Sequence, residues 1–166
     1  MGISSHSEAN KHYVIFSVYQ GLDLKHAIGR KSSDNESAHS EMKRHLETFD
    51  IKYVELEGCY KGTKEKSFLV PMDKFSAAWA FKNGQECYLE IFNHKHGMYK
   101  AYFVYVDGKK DFVGYLRQFN KTDIDNLKLD YSYRPDTKEY FVIWNTDTCT
   151  ADDFQREINE KLKNVA

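Results

Sequence analysis

The 166-residue chain has few cysteines, and their spacing argues against two classes of protein. The three are Cys59, Cys87 and Cys149, which are too few and too scattered for the disulfide framework of a small secreted domain. No two of them have the C-x-x-C spacing that is typical of zinc sites. A reducing compartment is therefore expected.

The chain also lacks an excess of charge of either sign and any long apolar run. It has 24 Lys and Arg against 25 Asp and Glu, a net charge of −1, so the basic surface of a nucleic-acid-binding protein is not predicted. No run approaches the roughly 20 apolar residues that span a bilayer. The first twelve residues are polar and do not resemble a signal peptide. We expect a cytoplasmic protein without a membrane partner.

Common catalytic and cofactor-binding motifs are missing as well. The chain contains no Walker A, GxGxxG, GxSxG or HExxH pattern. His94 and His96 flank a turn, but no third ligand follows at a suitable spacing. The sequence therefore predicts neither a metal site nor a cofactor.

Aromatic residues are plentiful: 12 Tyr and 11 Phe contribute to an aromatic content of 15%, which favours a β-rich fold. The pattern predicts strand, helix, strand, strand, helix and strand over residues 13–92, the order of a split βαβ arrangement. We therefore predict one domain, 1–166, of the α+β class. It would have a ferredoxin-like, PII-like antiparallel core at 13–92 with helices on one face. Further hairpins and a C-terminal helix, capped by Thr150, would follow over 97–166.

One hairpin is the most informative stretch of the chain. Residues 53–60 and 66–70 have strand patterns, and the Gly62-containing segment between them is typical of a hairpin connection. Tyr60 would end the first strand and Glu65 would begin the second, so the two could face each other. A carboxylate beside an aromatic ring can hold a small organic cation; the alternative is a surface glutamate beside an ordinary strand tyrosine.

Several segments together resemble a known family, the phage-encoded S-adenosylmethionine-degrading enzymes, described as hydrolases and as lyases. The likeness runs from about residue 13 to residue 108. It is carried by YVIFSVY at 13–19, by Asn35, Ser37, His39, Met42 and Leu46, by Gly58-Cys59-Tyr60, by Lys64-Glu65-Lys66-Ser67, by Gln85-Glu86-Cys87 and by Val104-Tyr105. A shorter hairpin connection at Gly62-Thr63 and the segment beyond Lys110 depart from the family pattern.

The resemblance implies a PII-like homotrimer with active sites between subunits. It implies cleavage of S-adenosylmethionine to 5′-methylthioadenosine and homoserine lactone or homoserine, an activity that counters host restriction in an infected bacterial cytoplasm. By position, Glu65 would be the catalytic carboxylate. The substrate-binding residues would be Ser17 and Val18 through the strand backbone, Tyr19 and Tyr60 as flanking aromatics, and Glu86 as a second acidic contact.

Three functions stay open at the level of sequence. A lyase would let the substrate carboxylate attack its own γ-carbon, whereas a hydrolase would use Glu65 to activate water. A PII-like trimer that binds an adenine nucleotide without chemistry is the third. For assembly, an open sheet face would favour a homotrimer, and the alternative is that the C-terminal hairpin and helix cover that face within one chain.

Overall fold

The computed structural model describes residues 11–20, 32–60 and 62–165 of the chain. The polar segment at 21–31, which the sequence suggests as either a mobile lid or a solvated loop, lies outside the described residues, as do the first ten residues. Within the described part, strand is the most frequent regular structure, as the aromatic and β-branched content predicts.

Eight strands are formed by the residues that the structure describes. They are β1 (His12–Phe16), β2 (Val54–Tyr60), β3 (Thr63–Pro71), β4 (Cys87–Lys95), β5 (Met98–Tyr105), β6 (Lys110–Phe119), β7 (Tyr131–Arg134) and β8 (Glu139–Trp144). All the pairings are antiparallel, and the strand order β1-β3-β2-β7-β8-β6-β5-β4 closes on itself. The fold is therefore a closed antiparallel barrel.

The prediction of a ferredoxin-like, PII-like sheet with helices on one face is wrong. The strands beyond residue 97 are not additions to a core sheet, because β5 pairs with β4 and β7 pairs with β2. β6 and β8 then join these two pairs and close the barrel. Alternation of apolar and polar residues is the same in an open sheet and in a barrel, so the pattern predicted strands without their partners.

Four α-helices occur in the described ranges: α1 (Ser32–Thr48), α2 (Ala78–Phe81), α3 (Lys121–Leu127) and α4 (Ala151–Lys163). Thr150 caps α4 by accepting a hydrogen bond from the Asp153 backbone N–H, at 3.3 Å. The sequence also predicts a helix capped by Asp73, with Phe75, Ala78 and Trp79 on one face. The structure has there only a short 3-10 helix, Met72–Lys74, followed by the single turn of α2. None of the helices that the structure describes is long and apolar enough to cross a membrane.

Apolar side chains form one core inside the barrel and two on its outer surface. The inner core contains Ile15, Leu69 and Ile91. Outside, α1 and the segment 72–81 pack on β1, β3 and β4, and α3 and α4 pack on β6 and β8. Closure thus buries the inner sheet face within one chain, so the open face from which we predicted a homotrimer does not exist.

Candidate active site

The barrel interior contains a cavity of about 490 Å³ at one end. An eight-stranded barrel is just wide enough to be filled by side chains or to hold one small ligand. The cavity wall is mostly apolar and includes Phe103 and Phe141, while Glu65 and Tyr60 lie among its few polar residues. An apolar pocket with a few converging polar groups is the usual form of a small-molecule site.

The β2–β3 hairpin brings Tyr60 and Glu65 to this cavity. Glu65 lies directly opposite Gly58 in the sheet, and Tyr60 lies two residues further along the strand on the same face. A methyl group at Gly58 would collide with the Tyr60 ring, so the ring folds back over the glycine. The Tyr60 hydroxyl then forms a hydrogen bond with the hydroxyl of Ser132 on β7. Only a residue without a side chain permits this arrangement.

The Glu65 carboxyl lies in an environment of low polarity. Burial raises the pKa of Glu65 above its ordinary value, because removal from water disfavours the charged form. Glu65 makes no hydrogen bond or ion pair with any residue that the structure describes. Burial likewise raises the pKa of Tyr60 to about 12. A cation bound beside Glu65 would offset the cost of ionising it.

Residues 17–19 follow β1 at the same end of the barrel. The Ser17 hydroxyl lines the cavity, donates to the Lys66 carbonyl at 2.8 Å and accepts from the Tyr19 N–H at 3.0 Å. The side chain of Val18 points away and is buried in the outer core beneath α1. This stretch therefore offers its backbone and Ser17 to the cavity, while Val18 anchors it.

Tyr19 lies in a second depression of about 430 Å³, the rim groove, which meets the cavity at Glu65. The groove is lined by charged and aromatic side chains, among them Tyr19, Glu36, Glu57, Lys64, Lys66 and Tyr133. The Tyr19 hydroxyl donates to Glu36. Burial and this bond raise the pKa of Tyr19, and the same bond lowers the pKa of Glu36. The rim groove is thus far more polar than the cavity.

The structure does not bring Glu86 to this site. Its side chain is exposed and lines a separate depression beside Tyr105 and Lys109. The neighbouring Gln85 and Cys87 line the cavity instead.

Several polar residues at the cavity were not predicted as site residues from the sequence, among them Ser67, Asp130 and Ser132. Ser67 could have been predicted from the sequence, because strand alternation places it on the same face as Glu65. Asp130 and Ser132 had no local signal, since they arrive through the pairing of β7 with β2, some 70 residues apart in the chain. Long-range pairing of this kind is not encoded in a local pattern.

Within the described ranges, no group of three or more His, Cys, Asp or Glu could hold a metal ion. His94 lies instead 3.0 Å from Asp147, with its Nε2 facing the carboxylate Oδ2.

Comparison with models of known protein families gives a match. The model of the S-Adenosylmethionine lyase family matches residues 28–144, well over half of the chain. No curated protein matches the chain. The matched range contains Tyr60, Glu65 and Ser132, whereas β1 and the residues after it, Ser17 and Tyr19, precede it. The cavity thus lies largely, though not wholly, within the matched range.

Proposed function

The chain belongs to the S-adenosylmethionine lyase family, and from this premise we propose that it cleaves its substrate at the cavity mouth to 5′-methylthioadenosine and L-homoserine lactone. Membership makes the protein an S-adenosylmethionine lyase, with S-adenosylmethionine as its small-molecule substrate. The choice of products and the place of the reaction are our proposal.

The observation that carries the proposal is the Glu65 carboxyl, which has no hydrogen-bond or ion-pair partner among the described residues and lies at the mouth of an apolar cavity. S-adenosylmethionine carries two positive charges, on the sulfonium and on the ammonium group. Either one would stabilise the ionised form of Glu65, whose pKa burial raises. The Tyr60 ring beside Glu65 adds an aromatic face for the sulfonium.

The reaction requires orientation more than activation. In our scheme Glu65 holds the ammonium group and curls the methionine tail, so that the substrate's own carboxylate oxygen attacks the γ-carbon. A carbon–oxygen bond forms, and the carbon–sulfur bond breaks with its electron pair moving to sulfur, which leaves as a neutral thioether. Well-oriented intramolecular reactions reach effective molarities of about 10⁵ to 10⁸ M. The scheme uses Ser17, Tyr19 and the backbone of Val18 to position the substrate.

A hydrolase would instead use Glu65 as a general base toward water and form homoserine directly. The apolar wall of the cavity supports the lyase scheme, because an intramolecular attack needs water kept away from the γ-carbon. The non-catalytic PII-like module is not proposed, since its basis was a ferredoxin-like fold that the barrel replaces.

Product identity tests the proposal. Incubation with S-adenosylmethionine in ¹⁸O-water should give 5′-methylthioadenosine together with homoserine lactone at the earliest time points. That lactone should carry no label, because its ring oxygen comes from the substrate. Homoserine that forms first, with the label on its γ-oxygen, would establish the hydrolase scheme instead.

The biological role that we propose is the removal of S-adenosylmethionine from an infected bacterial cytoplasm, which would deprive host restriction and methylation of their cofactor. Its basis is the resemblance to phage-encoded enzymes. Expression of the chain in a restricting bacterial host should lower both the S-adenosylmethionine pool and the restriction of incoming phage. An unchanged pool would contradict the proposed role.

A homotrimer with sites between subunits is a separate proposal and rests on the same resemblance. Closure of the barrel weakens the physical reason for expecting a trimer, because the inner sheet face is already buried. Light scattering at micromolar concentration distinguishes a trimer from a monomer of 19.5 kDa. A monomer with full activity would rule out shared active sites.

A further inference from the structure

The cavity exists because one level of the barrel interior carries small side chains. Ser17, Ser67 and Cys87 occupy inward positions just below Glu65, and all three line the cavity. Two residues further from the mouth, the inward positions are occupied by larger side chains, those of Ile15, Leu69 and Leu89. These three residues lie opposite one another on neighbouring strands. The interior thus has an apolar floor, with a layer of small polar groups between that floor and Glu65.

Within this layer the hydroxyl of Ser67 is unusual. The residue is only 4% exposed, and its Oγ makes no hydrogen bond with any residue that the structure describes. The hydroxyl of Ser17, by contrast, is already engaged as donor and acceptor. A buried polar group without a partner destabilises the folded protein. A ligand in the cavity could supply the missing partner.

The charges around the cavity distinguish the two halves of the substrate. No Lys or Arg is among the described residues that line the cavity, so the substrate carboxylate would be buried there without a cation. Burying an unpaired ion is strongly unfavourable. The rim groove, in contrast, contains two lysines, Lys64 and Lys66, of which Lys66 lies 3.2 Å from the Glu36 carboxylate. An uncharged aromatic ring with hydrogen-bonding edges suits the cavity, and a zwitterionic amino acid suits the rim groove.

We propose that the purine ring of the substrate enters the barrel below Glu65 and forms a hydrogen bond with Ser67 Oγ, while the amino-acid half stays in the rim groove. The inference rests on the proposed function for the identity of the substrate. In this arrangement Ser67 binds the purine, and the apolar floor excludes charged groups. The sulfonium then lies at the junction, beside Glu65 and Tyr60.

Binding of 5′-methylthioadenosine, which has the purine half but no amino acid, tests this arrangement without turnover. Calorimetry on Ser67→Ala should show a Kd about 3- to 10-fold higher than that of the wild type, the effect of one lost hydrogen bond. The same variant should keep or raise the melting temperature, because it removes an unpaired buried hydroxyl. Ser40→Ala, on the exposed surface of α1, is the matched control and should change neither quantity.

Two further variants separate the alternatives. Ser67→Leu should fill the space below Glu65 and abolish binding of 5′-methylthioadenosine; its melting temperature shows whether it is folded, and Ser67→Ala decides the matter if it is not. If Ser67→Ala binds this ligand like the wild type, or if Tyr133→Ala in the rim groove weakens binding more, the purine lies outside the barrel and the proposal fails. A wild type that binds the ligand but makes no product would contradict the proposed function alone.

Discussion

The two ends of the barrel interior are built from the same strands but carry side chains of very different size. Towards one end, Tyr13, Ile91 and Tyr99 are at most 2% exposed, and the two tyrosine rings pack edge to face with centroids 6.4 Å apart. Towards the other end, the small side chains of Ser17, Ser67 and Cys87 leave the cavity open. Closure of the sheet therefore makes a barrel, but residue size at each level decides whether that level is core or site.

The filled end should be the more important for stability. Ile91→Ala should lower the free energy of unfolding by about 2–5 kcal/mol, because it leaves a cavity in a close-packed layer. The midpoint of urea unfolding measures this loss, and the KM of the folded fraction should not change. Val106→Ala, whose side chain is 74% exposed, is the control and should shift the free energy by less than about 0.5 kcal/mol. A raised KM in Ile91→Ala would show that the two ends are coupled.

The open end should be the more important for activity. Glu65→Gln should lower kcat/KM on the order of 10²-fold or more, because the amide cannot neutralise the substrate ammonium. Steady-state formation of 5′-methylthioadenosine measures the effect, and Glu41→Gln on the exposed surface of α1 provides a carboxylate control. Activity within a few-fold of the wild type would remove Glu65 from the mechanism.

A smaller loss is expected at the aromatic side of the cavity mouth. Tyr60→Ala should raise KM roughly 2- to 30-fold, since cation–π contacts contribute about 0.5–2 kcal/mol. Gly58→Ala should change KM in the same direction by displacing the Tyr60 ring. The control is Tyr115→Ala, whose ring packs against Phe112 on the outside of the barrel. Equal KM values in the Tyr60 and Tyr115 variants would make Tyr60 a structural residue.

The smallest effect should be a dependence on pH. Because burial raises the pKa of Glu65, the folded protein holds this proton more tightly than the unfolded chain does. The contribution of Glu65 to the free energy of unfolding is therefore greatest below the ordinary pKa of a glutamate. It is lost as pH rises through the raised pKa of Glu65. Glu65→Gln should lack that loss. Urea unfolding of both proteins from pH 4 to 8 measures the difference, and parallel curves would contradict it.

The pH profile of activity should also be shifted to higher pH by the raised pKa of Glu65. If ionised Glu65 holds the substrate, kcat/KM should rise with pH at values above the ordinary range of a glutamate. Glu36 at the rim groove has the opposite shift, because the bond from Tyr19 lowers its pKa. A rise of kcat/KM at or below the ordinary glutamate range would therefore exclude Glu65 as the titrating group.

Much of the local structure could be predicted from the sequence. The β2–β3 hairpin and the Thr150-capped helix α4 both depend on residues close together in the chain. The predicted register of the hairpin was wrong, because β3 begins at Thr63 and Glu65 lies opposite Gly58 rather than Tyr60. The sheet topology could not be predicted in this way. β7 reaches β2 across some 70 residues, and no local pattern distinguishes that pairing from an open edge. The helix predicted after Asp73 was also longer than the observed elements. Phe75 and Trp79 both pack against Phe16, and this packing outweighs the helical spacing of the apolar residues in the segment.

The sequence by itself determined the strands and the hairpin that carries Glu65, because both depend on residue types at short and regular spacing. It also determined the family, through residue types matched along 28–144. Only the tertiary structure decided that the sheet closes, that Ser132 meets the Tyr60 hydroxyl, and that Ser67 is buried with no hydrogen-bond partner among the residues described. These features depend on which strands become neighbours in space. The pairing of strands is determined by the burial of whole sheet faces rather than by the sequence of any one segment.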